Sequence, residues 1–519
     1  MRAIGYFSFI FVLFSIYYTL ISFLMSQGNY LNLEHLFYTN QLEILFESNN
    51  DRLEVFYFTN SLLHLLASIP FGLFDTFVTP VITSILFVSF VVAFILQVFI
   101  ANKQYAYAVL IGMYFLISPS VLYASVSGST VYLFYVLFFF MFYFLMRFAF
   151  ESTSYSLIVV SFILSLFVFL DYTQLYLILF LIPLFFFYSV YTTIGVKRKF
   201  INTLNLIFKS SSQQRKLINR FLSIFIIVAF TPVVTFGLFL VINQWFGDGF
   251  FYFLSNNASN WNKHNFSEFI FSNLSDQKIN ESLGVTYYLK SILFISPLFL
   301  FSFYLIRKRL MLVYTLLVVL LFLIFNFSIS TTIIPNLKYF SILITTALAC
   351  MTIFISAQND ATKENFKSIT ILVIVIFLQV GGEFFYFSNS NDFSEVSFKN
   401  NILREAHEDE LMKPHRELAA YLQANLDHQD TVIVDSSIFY PTLAFTRNEL
   451  HILDQFNESF YSKMQQPKEG EYLIISNVDT FYNAKDKLRH FQKKDFQNEL
   501  QFITVYYNSK FTLYKAIKR

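Results

Sequence analysis

Residues 130–149 read TVYLFYVLFFFMFYFLMRFA, a run of twenty residues whose only charge is Arg147. A helix needs about 20 apolar residues to cross the hydrocarbon core of a bilayer, so this stretch predicts a transmembrane helix. The rest of the 519-residue chain agrees, because 56% of its residues are hydrophobic and only 13% are charged. Soluble proteins carry about 25% charged residues. The composition therefore excludes a soluble enzyme, a disordered chain and a secreted disulfide scaffold, and it predicts a polytopic α-helical membrane protein.

Ten further apolar runs bring the predicted number of spans to eleven. The first, from Ala3 to Leu24, is too long for a signal peptide and lacks a small-residue cleavage site, so we expect a retained anchor. The others fall at residues 78–99, 104–118, 154–170, 173–191, 221–243, 286–306, 310–329, 337–357 and 369–387.

The distribution of basic residues decides whether a twelfth apolar stretch, residues 58–74, also spans. Cytoplasmic loops collect Lys and Arg. The segment 197–220 carries seven basic residues and no acid, and it lies on the same side as Arg2 only if residues 58–74 do not span. We therefore predict that residues 58–74 form a helix lying in the outer interface, that the N-terminus is inside, and that the C-terminus is outside.

The last quarter of the chain has the composition of a water-soluble domain. Residues 388–519 hold 35 of the 70 charged residues. This predicts a transmembrane bundle at residues 1–387, with its first outer loop at 25–77, and an extracytoplasmic domain at 388–519. The only cysteine, Cys350, lies in an apolar run, so no disulfide can form within the chain.

Periodicity within residues 388–519 favours an α/β fold. The predicted elements are a helix over Ile402–Leu426 interrupted at Pro414, strands at Thr431–Asp435 and Tyr472–Ile475, a helix over Ala484–Phe491, and a closing hairpin from Val505 to Tyr514.

Acidic residues are concentrated in the first outer loop. Glu34 lies about ten residues after the first span, where it can reach the membrane surface. A carboxylate there can act as a general base on an acceptor hydroxyl or amine, or hold a divalent cation. The alternative is that Glu34 to Glu47 is one solvated face of an interfacial helix.

Three other ionisable residues lie in or beside predicted apolar segments, and such groups are costly at membrane depth. His64 can contact a lipid phosphate or serve as a hydrogen-bonded packing residue. Asp171 can contact substrate or end a helix. Lys338, at the outer end of a span, can bind a lipid phosphate as a point charge or extend toward the head groups.

The loop from Gln244 to Leu283 is polar and aromatic and contains both tryptophans of the chain. Trp261 and His264 are candidate contacts for a sugar or a head group. The alternative is that these residues are ordinary anchors at the membrane interface.

The layout resembles the GT-C superfamily of membrane glycosyltransferases, in particular protein O-mannosyltransferases and lipid A aminoarabinose transferases. Those proteins have about eleven to thirteen spans, a first outer loop with the catalytic acid and two interfacial helices, and often an outer soluble domain. The stretches that carry the likeness are Leu33–Tyr38 (LEHLFY), Asn60–Ala67 with Phe71–Phe74, Leu116–Pro119 up to Tyr132, Pro335–Ser341 (PNLKYFS), and Glu417–Leu422 with Thr431–Asp435.

The resemblance implies that Glu34 is the catalytic acid–base residue and that Lys338 contacts the lipid phosphate. Some positions depart from the family pattern. Leu33 replaces the first acid of a frequent Asp–Glu pair, and Asp171 stands where a basic residue is common. No Arg or Glu occurs between Ser125 and Ser129.

Two functions from different classes follow. The first is an enzyme that moves a sugar from a polyprenyl-phosphate carrier to a lipid, glycan or protein acceptor on the outer face, in the bacterial inner membrane. A divalent cation would also help the phosphate to leave, although the sequence shows no ligand set for one. The second is a catalytically silent membrane protein of the same fold that binds lipid or glycan. The net charge of +2 gives no reason to expect a nucleic-acid partner.

Overall fold

The computed structural model describes residues 2–28, 30–47, 53–194, 200–247, 249–255, 261, 296–307, 309–329, 337–356, 366–390, 392–404, 412–427, 429–446, 450–457, 459–477, 486–492 and 500–518. The chain divides into two compact units. The first unit comprises Met1–Leu24, Ser84–Val241 and Lys278–Val396, and the second comprises Met25–Thr83, Ile242–Gln277 and Ser397–Arg519.

The first unit consists of helices built from the apolar runs. Numbered in chain order, those that lie mainly in it are α1 (Arg2–Gln27), α5 (Thr79–Ala101), α6 (Tyr105–Ile117), α7 (Pro119–Val126), α8 (Val131–Glu151), α9 (Ser154–Leu170), α10 (Leu177–Ile194), α11 (Phe200–Phe208), α12 (Ser211–Gly247), α14 (Pro297–Ile306), α15 (Leu310–Ile329), α16 (Leu337–Ser356) and α17 (Phe366–Asn389).

The second unit combines the first outer loop with the C-terminal part of the chain. Its helices are α2 (Leu33–Glu47), α3 (Glu54–Phe58), α4 (Leu62–Gly72), α13 (Tyr252–Ser255), α19 (Lys413–Asn425), α20 (Ser436–Thr446) and α21 (Ser459–Gln465), and α18 (Phe393–Leu403) crosses the boundary. Its strands are β1 (Thr431–Ile433), β2 (His451–Leu453), β3 (Tyr472–Ser476), β4 (Leu500–Tyr507) and β5 (Phe511–Lys518).

Seven helices among the described residues are long and apolar enough to cross a membrane, and the bent pair α6–α7 would make eight. The predicted polytopic α-helical membrane fold is therefore confirmed. Each of the eleven predicted runs coincides with a described helix over at least part of its length. The residues at 286–295 lie outside the described part of the chain, and the number eleven stays a prediction.

Residues 58–74 contain a single helix of 11 residues, α4. At 1.5 Å per residue this helix is about 16 Å long, roughly half the thickness of the hydrocarbon core. Its length agrees with the predicted non-spanning helix, while its position in the outer interface stays a prediction.

The sheet of the second unit has the strand order β2-β1-β3-β5-β4. Strands β2, β1 and β3 are parallel, and β5 pairs antiparallel with both β3 and β4. Parallel neighbours need crossover connections, and α20 and α21 provide them. The core between sheet and helices includes Ile433, Leu473 and Phe460.

The strands at Thr431–Asp435 and Tyr472–Ile475 and the closing hairpin are present as β1, β3 and β4–β5. The helix over Ile402–Leu426 is represented by the end of α18 and by α19, with residues 405–411 outside the described part of the chain. The segment predicted as a helix at Ala484–Phe491 contains a 3-10 helix, Lys487–Gln492, instead of an α-helix. Strand β2 was not predicted.

Candidate functional site

Helix α2 begins with a side-chain cap. The side-chain oxygen of Asn32 accepts a hydrogen bond from the backbone N–H of His35 at 3.2 Å, which satisfies one of the free N–H groups of the first turn. Most side chains of α2 are buried around its whole circumference, including Leu36, Gln41 and Glu43. The alternative interpretation of this segment was a solvated acidic face. Because Glu43 is buried, it does not form part of such a face.

Glu34 occupies the first turn of α2 and is half-buried. A carboxylate in this position interacts favourably with the positive end of the helix dipole. The next residue, His35, is buried, and its Nε2 donates to the carbonyl oxygen of Phe77 at 2.6 Å. Burial lowers the pKa of His35, so this imidazole is neutral near pH 7.

The side chains of α2 fix the start of α4. Tyr38 Oη accepts a hydrogen bond from the backbone N–H of Ser61 at 2.6 Å, and Gln41 Oε1 accepts one from Thr59 Oγ1 at 3.0 Å. His64 is fully buried, and its ring packs edge-on against Tyr38 with 4.2 Å between ring centroids. These contacts favour the packing role for His64 over direct contact with a lipid phosphate.

The first outer loop packs against the C-terminal part of the chain within the second unit. Phe37 of α2 lies edge-on against Tyr440 of α20, with ring centroids 5.8 Å apart. Closer to the first span, Asn401 Nδ2 donates to the carbonyl oxygen of Met25 at 3.2 Å. The helix that carries Glu34 is thus held by the sheet domain as well as by its own loop.

The aromatic loop after α12 is only partly described. Trp261 is fully buried, with its ring 5.5 Å from that of Phe253 and nearly perpendicular to it. His264 lies outside the described residues. Tyr57 of α3 donates from its hydroxyl to the carbonyl oxygen of Phe246 at 3.1 Å, which ties the first outer loop to the end of α12.

Lys338 belongs to the first unit, where it is half-buried in the first turn of α16. Glu395 holds the start of this helix, because its Oε1 accepts a hydrogen bond from the Leu337 N–H at 3.3 Å and another from the Tyr386 hydroxyl at 3.0 Å. Ser390 Oγ contacts Oε2 of the same carboxyl. Burial, reinforced by the charge of Asp392, raises the pKa of Glu395 to about 8, so the carboxyl is neutral near pH 7.

Asp171 also belongs to the first unit and caps the 3-10 helix Tyr172–Tyr176. Its Oδ1 accepts hydrogen bonds from the backbone N–H of Thr173 at 3.0 Å and from Thr173 Oγ1 at 2.6 Å, while Oδ2 accepts one from Gln174 Nε2 at 2.9 Å. These contacts account for Asp171 as a helix-terminus residue, the alternative considered from the sequence.

A buried carboxyl group that the sequence analysis passed over lies in α17. Glu383 is 1% exposed and accepts hydrogen bonds from Tyr114 Oη (2.9 Å), Ser118 Oγ (2.6 Å), the Ser120 N–H (3.2 Å) and Gln379 Nε2 (2.8 Å). Three of these partners, Tyr114, Ser118 and Ser120, lie around the 63° bend between α6 and α7. The sequence contained a signal for this residue, because Glu383 is the only acid within the predicted span 369–387 and acids are rare inside spans.

Three buried aspartates gather near the carboxyl ends of the parallel strands. Asp435 follows β1, Asp454 follows β2, and Asp486 accepts hydrogen bonds from the Ser476 N–H and hydroxyl at the end of β3, both at 2.7 Å. Burial raises the pKa values of Asp454 and Asp486 to about 6. Within the described part of the chain, no group of three or more His, Cys, Asp or Glu residues has a geometry that could hold a metal ion.

Comparison with known proteins rests on structure alone. No protein-family model and no curated protein matches the sequence. The fold matches the crystal structure of ArnT from Cupriavidus metallidurans in the apo state, with a TM-score of 0.51 and 11% sequence identity over 96% of this chain and 97% of that one. The chain therefore has an ArnT-like fold. At this identity the match shows the fold alone, but it agrees with the resemblance drawn from the sequence motifs.

The candidate residues are divided between the two units. Glu34, His64 and Trp261 lie in the second unit, and Lys338 and Asp171 lie in the first. Among these five, Glu34 and Lys338 are half-buried and lie in the first turns of α2 and α16.

Proposed function

We propose that this protein is an integral membrane glycosyltransferase that moves a sugar from a polyprenyl-phosphate carrier to an acceptor on the outer face of the membrane. The observation that carries the proposal is the ArnT-like fold, which extends over 96% of the chain. A fold can host several functions, so the assignment of the reaction also depends on the residues at the site.

Glu34 is the proposed general base. Its carboxylate takes the proton of the acceptor hydroxyl or amine while the acceptor atom forms a bond to the anomeric carbon of the sugar. The bond from that carbon to the carrier phosphate breaks, and its electron pair leaves with the polyprenyl phosphate. Glu34 suits this role because it is half-buried, so it can reach solvent and is only partly shielded by the protein.

Lys338 is the proposed partner of the leaving phosphate. Its ammonium group would neutralise the charge that develops on the phosphate oxygen as the sugar departs. The neutral carboxyl of Glu395 fixes the first turn of α16 without placing a competing negative charge beside this lysine at neutral pH. The carrier, the acceptor class and a location in a bacterial inner membrane remain part of the proposal.

A catalytically silent protein of the same fold is the second candidate. The observation that favours it is the burial of Ser125, Ser127 and Ser129, in the connection where the family commonly carries an Arg or Glu. Such a protein would bind a lipid or glycan without transferring it.

Mass spectrometry of outer-face glycoconjugates distinguishes the two functions. Cells with the parent protein should contain a glycoconjugate that carries one sugar more than in cells without the protein. Glu34→Gln should fail to restore that sugar, and Glu417→Gln, an exposed acid of α19, should restore it. Identical glycoconjugates with and without the parent protein would overturn the transferase assignment and favour the silent one.

A further inference from the structure

A short helical hairpin, residues 204–220, joins the ends of two spanning helices. It consists of α11, from Leu204 onward, and the first turns of α12. Ile207 and Leu217 are buried against Val190 of α10, which fixes the inner side of the hairpin. Arg220 Nη1 also donates to the carbonyl oxygen of Thr192 at 3.3 Å. Because α10 and α12 are both long and apolar enough to span the membrane, the hairpin lies at the ends of two candidate spans.

The outer side of this hairpin is both apolar and basic. Phe208 is 62% exposed and Ile218 is 54% exposed. Lys209, Arg215 and Lys216 are also exposed and stand beside them in the sequence. The charge is strongly one-sided, because the chain contains no Asp or Glu between Asp171 and Asp248.

Large exposed apolar side chains interleaved with cations are the pattern of an interfacial helix on an anionic lipid surface. The rings and aliphatic chains enter the boundary of the acyl region, and the cations remain at the level of the phosphates. A nucleic acid or an acidic protein would use the cations but would leave Phe208 and Ile218 exposed. The position of the hairpin at the end of two spanning helices places it at the lipid head groups.

We propose that residues 204–220 form a binding surface for anionic phospholipid head groups of the inner leaflet. Lys209, Arg215 and Lys216 contact the lipid phosphates, and Phe208 and Ile218 anchor the hairpin in the same leaflet. The surface lies apart from the proposed catalytic residues in the sequence, and its role does not depend on sugar transfer.

The test is a titration of the detergent-solubilised full chain with phosphatidylglycerol or phosphatidylcholine of the same acyl chains, followed by native mass spectrometry. The parent should bind phosphatidylglycerol more tightly, and added salt should weaken this preference. Each basic residue near an anionic surface contributes about a five-fold gain in affinity. The triple variant Lys209→Gln, Arg215→Gln, Lys216→Gln should therefore bind phosphatidylglycerol about 100-fold more weakly and phosphatidylcholine unchanged.

Arg147→Gln is the matched control, because Arg147 is also a surface residue but is already paired with Glu151 at 2.8 Å. Its phosphatidylglycerol affinity should stay within about two-fold of the parent. Phe208→Ser should weaken the binding of phosphatidylglycerol and of phosphatidylcholine by the same factor. If the triple variant does not fold, Lys216→Gln alone should still show the five-fold loss. Equal affinities of the parent for the two lipids, or an equal loss in Arg147→Gln, would overturn the proposal.

Discussion

Glu34 lies in the first turn of α2, where a carboxylate can stabilise the helix or take part in a reaction. Glu34→Gln separates these roles, because it preserves size and hydrogen bonding but removes the proton acceptor. If Glu34 is the base, the transfer rate should fall about 10²- to 10⁴-fold. Thermal unfolding should change little, since such a swap at a half-buried site usually costs about 0.5 kcal/mol or less. Full transfer by Glu34→Gln in a reconstituted assay would exclude this residue as the base.

Glu395 is expected to position Lys338 through the backbone of α16. Because its pKa is about 8, Gln reproduces the neutral carboxyl near pH 7, whereas Ala removes the acceptor for the Leu337 N–H. Glu395→Ala should weaken polyprenyl phosphate binding about five-fold, the effect of losing a hydrogen bond worth about 1 kcal/mol. Glu395→Gln should bind like the parent.

Native mass spectrometry with polyprenyl phosphate measures this difference. Lys338→Gln serves as the reference, because it should lose binding whether or not Glu395 matters. A normal affinity in Lys338→Gln would refute the phosphate contact itself. Weak binding in Lys338→Gln combined with normal binding in Glu395→Ala would refute only the positioning role.

At the scale of helices, Glu383 stabilises the bend between α6 and α7. Ser118 separates the two helices and Pro119 begins α7. The Ser120 N–H of the first turn of α7 donates to the Glu383 carboxyl instead of to a preceding carbonyl. Glu383→Ala would leave the donors of Tyr114, Ser118, Ser120 and Gln379 without their acceptor. The expected cost is about 3 kcal/mol or more, since each buried polar group left unpaired costs about 1–3 kcal/mol.

Thermal unfolding of the detergent-solubilised protein checks this expectation. Glu151→Ala is the control, because Glu151 is exposed and its pair with Arg147 contributes at most about 1 kcal/mol. A melting temperature that falls equally in both variants would contradict a special role for Glu383.

The sheet of the second unit should become less stable as pH rises through the titration of its aspartates. The pKa values of Asp454 and Asp486 are raised from 3.8 to about 6. Their contribution to the free energy of unfolding is therefore present below pH 4 and is lost as pH rises through 6. The groups that face them include Asp435 and Lys487. His415, whose pKa is lowered to about 3, acts in the opposite direction, since its contribution is lost as pH falls below 6.5.

The variant Asp454→Asn isolates the contribution of Asp454 to this pH dependence. Between pH 4 and pH 7 the free energy of unfolding of the parent should fall by on the order of 3 kcal/mol relative to that of this variant. This is the energy that corresponds to a pKa shift of about two units. Hydrogen exchange of the β1 and β3 amides, corrected for the intrinsic rate at each pH, measures the difference. Asp427→Asn, at an exposed position, should follow the parent. Parallel curves for the parent and Asp454→Asn would contradict the prediction.

For the whole molecule, the features that the sequence predicts are those that depend on residues close together along the chain. Apolar runs predicted the helices. Short buried apolar runs predicted β1 and β3, and the Asn508-Ser509 turn between two strand-like segments predicted the hairpin. Glu383 was missed as a structural centre because most of its partners lie far away along the chain, as in the 265 residues that separate it from Ser118. Strand β2 has only three residues, too few for a periodic pattern. The second unit was not foreseen as a whole because three separate chain segments build it.

Membrane topology is the prediction that concerns the whole chain. The seven basic residues of 197–220 and the absence of acids around them predict that this segment lies in the cytoplasm and that the C-terminal domain lies on the outer face. The single cysteine of the sequence, Cys350, is buried in α16, so an introduced cysteine can be labelled with little background. Ser462 of α21 and Ser212 of α12 are both exposed and suit this replacement.

A membrane-impermeant maleimide should label Ser462→Cys in intact cells and label Ser212→Cys only after the membrane is permeabilised. The physical reason is that moving a segment with several basic residues across the bilayer is unfavourable, so the loop with the larger basic excess stays inside. A variant with both serines intact controls for any reaction at Cys350. If Ser212→Cys is labelled in intact cells and Ser462→Cys is not, the orientation is reversed, and the carrier, the acceptor and the anionic lipids would all have to be assigned to the opposite faces.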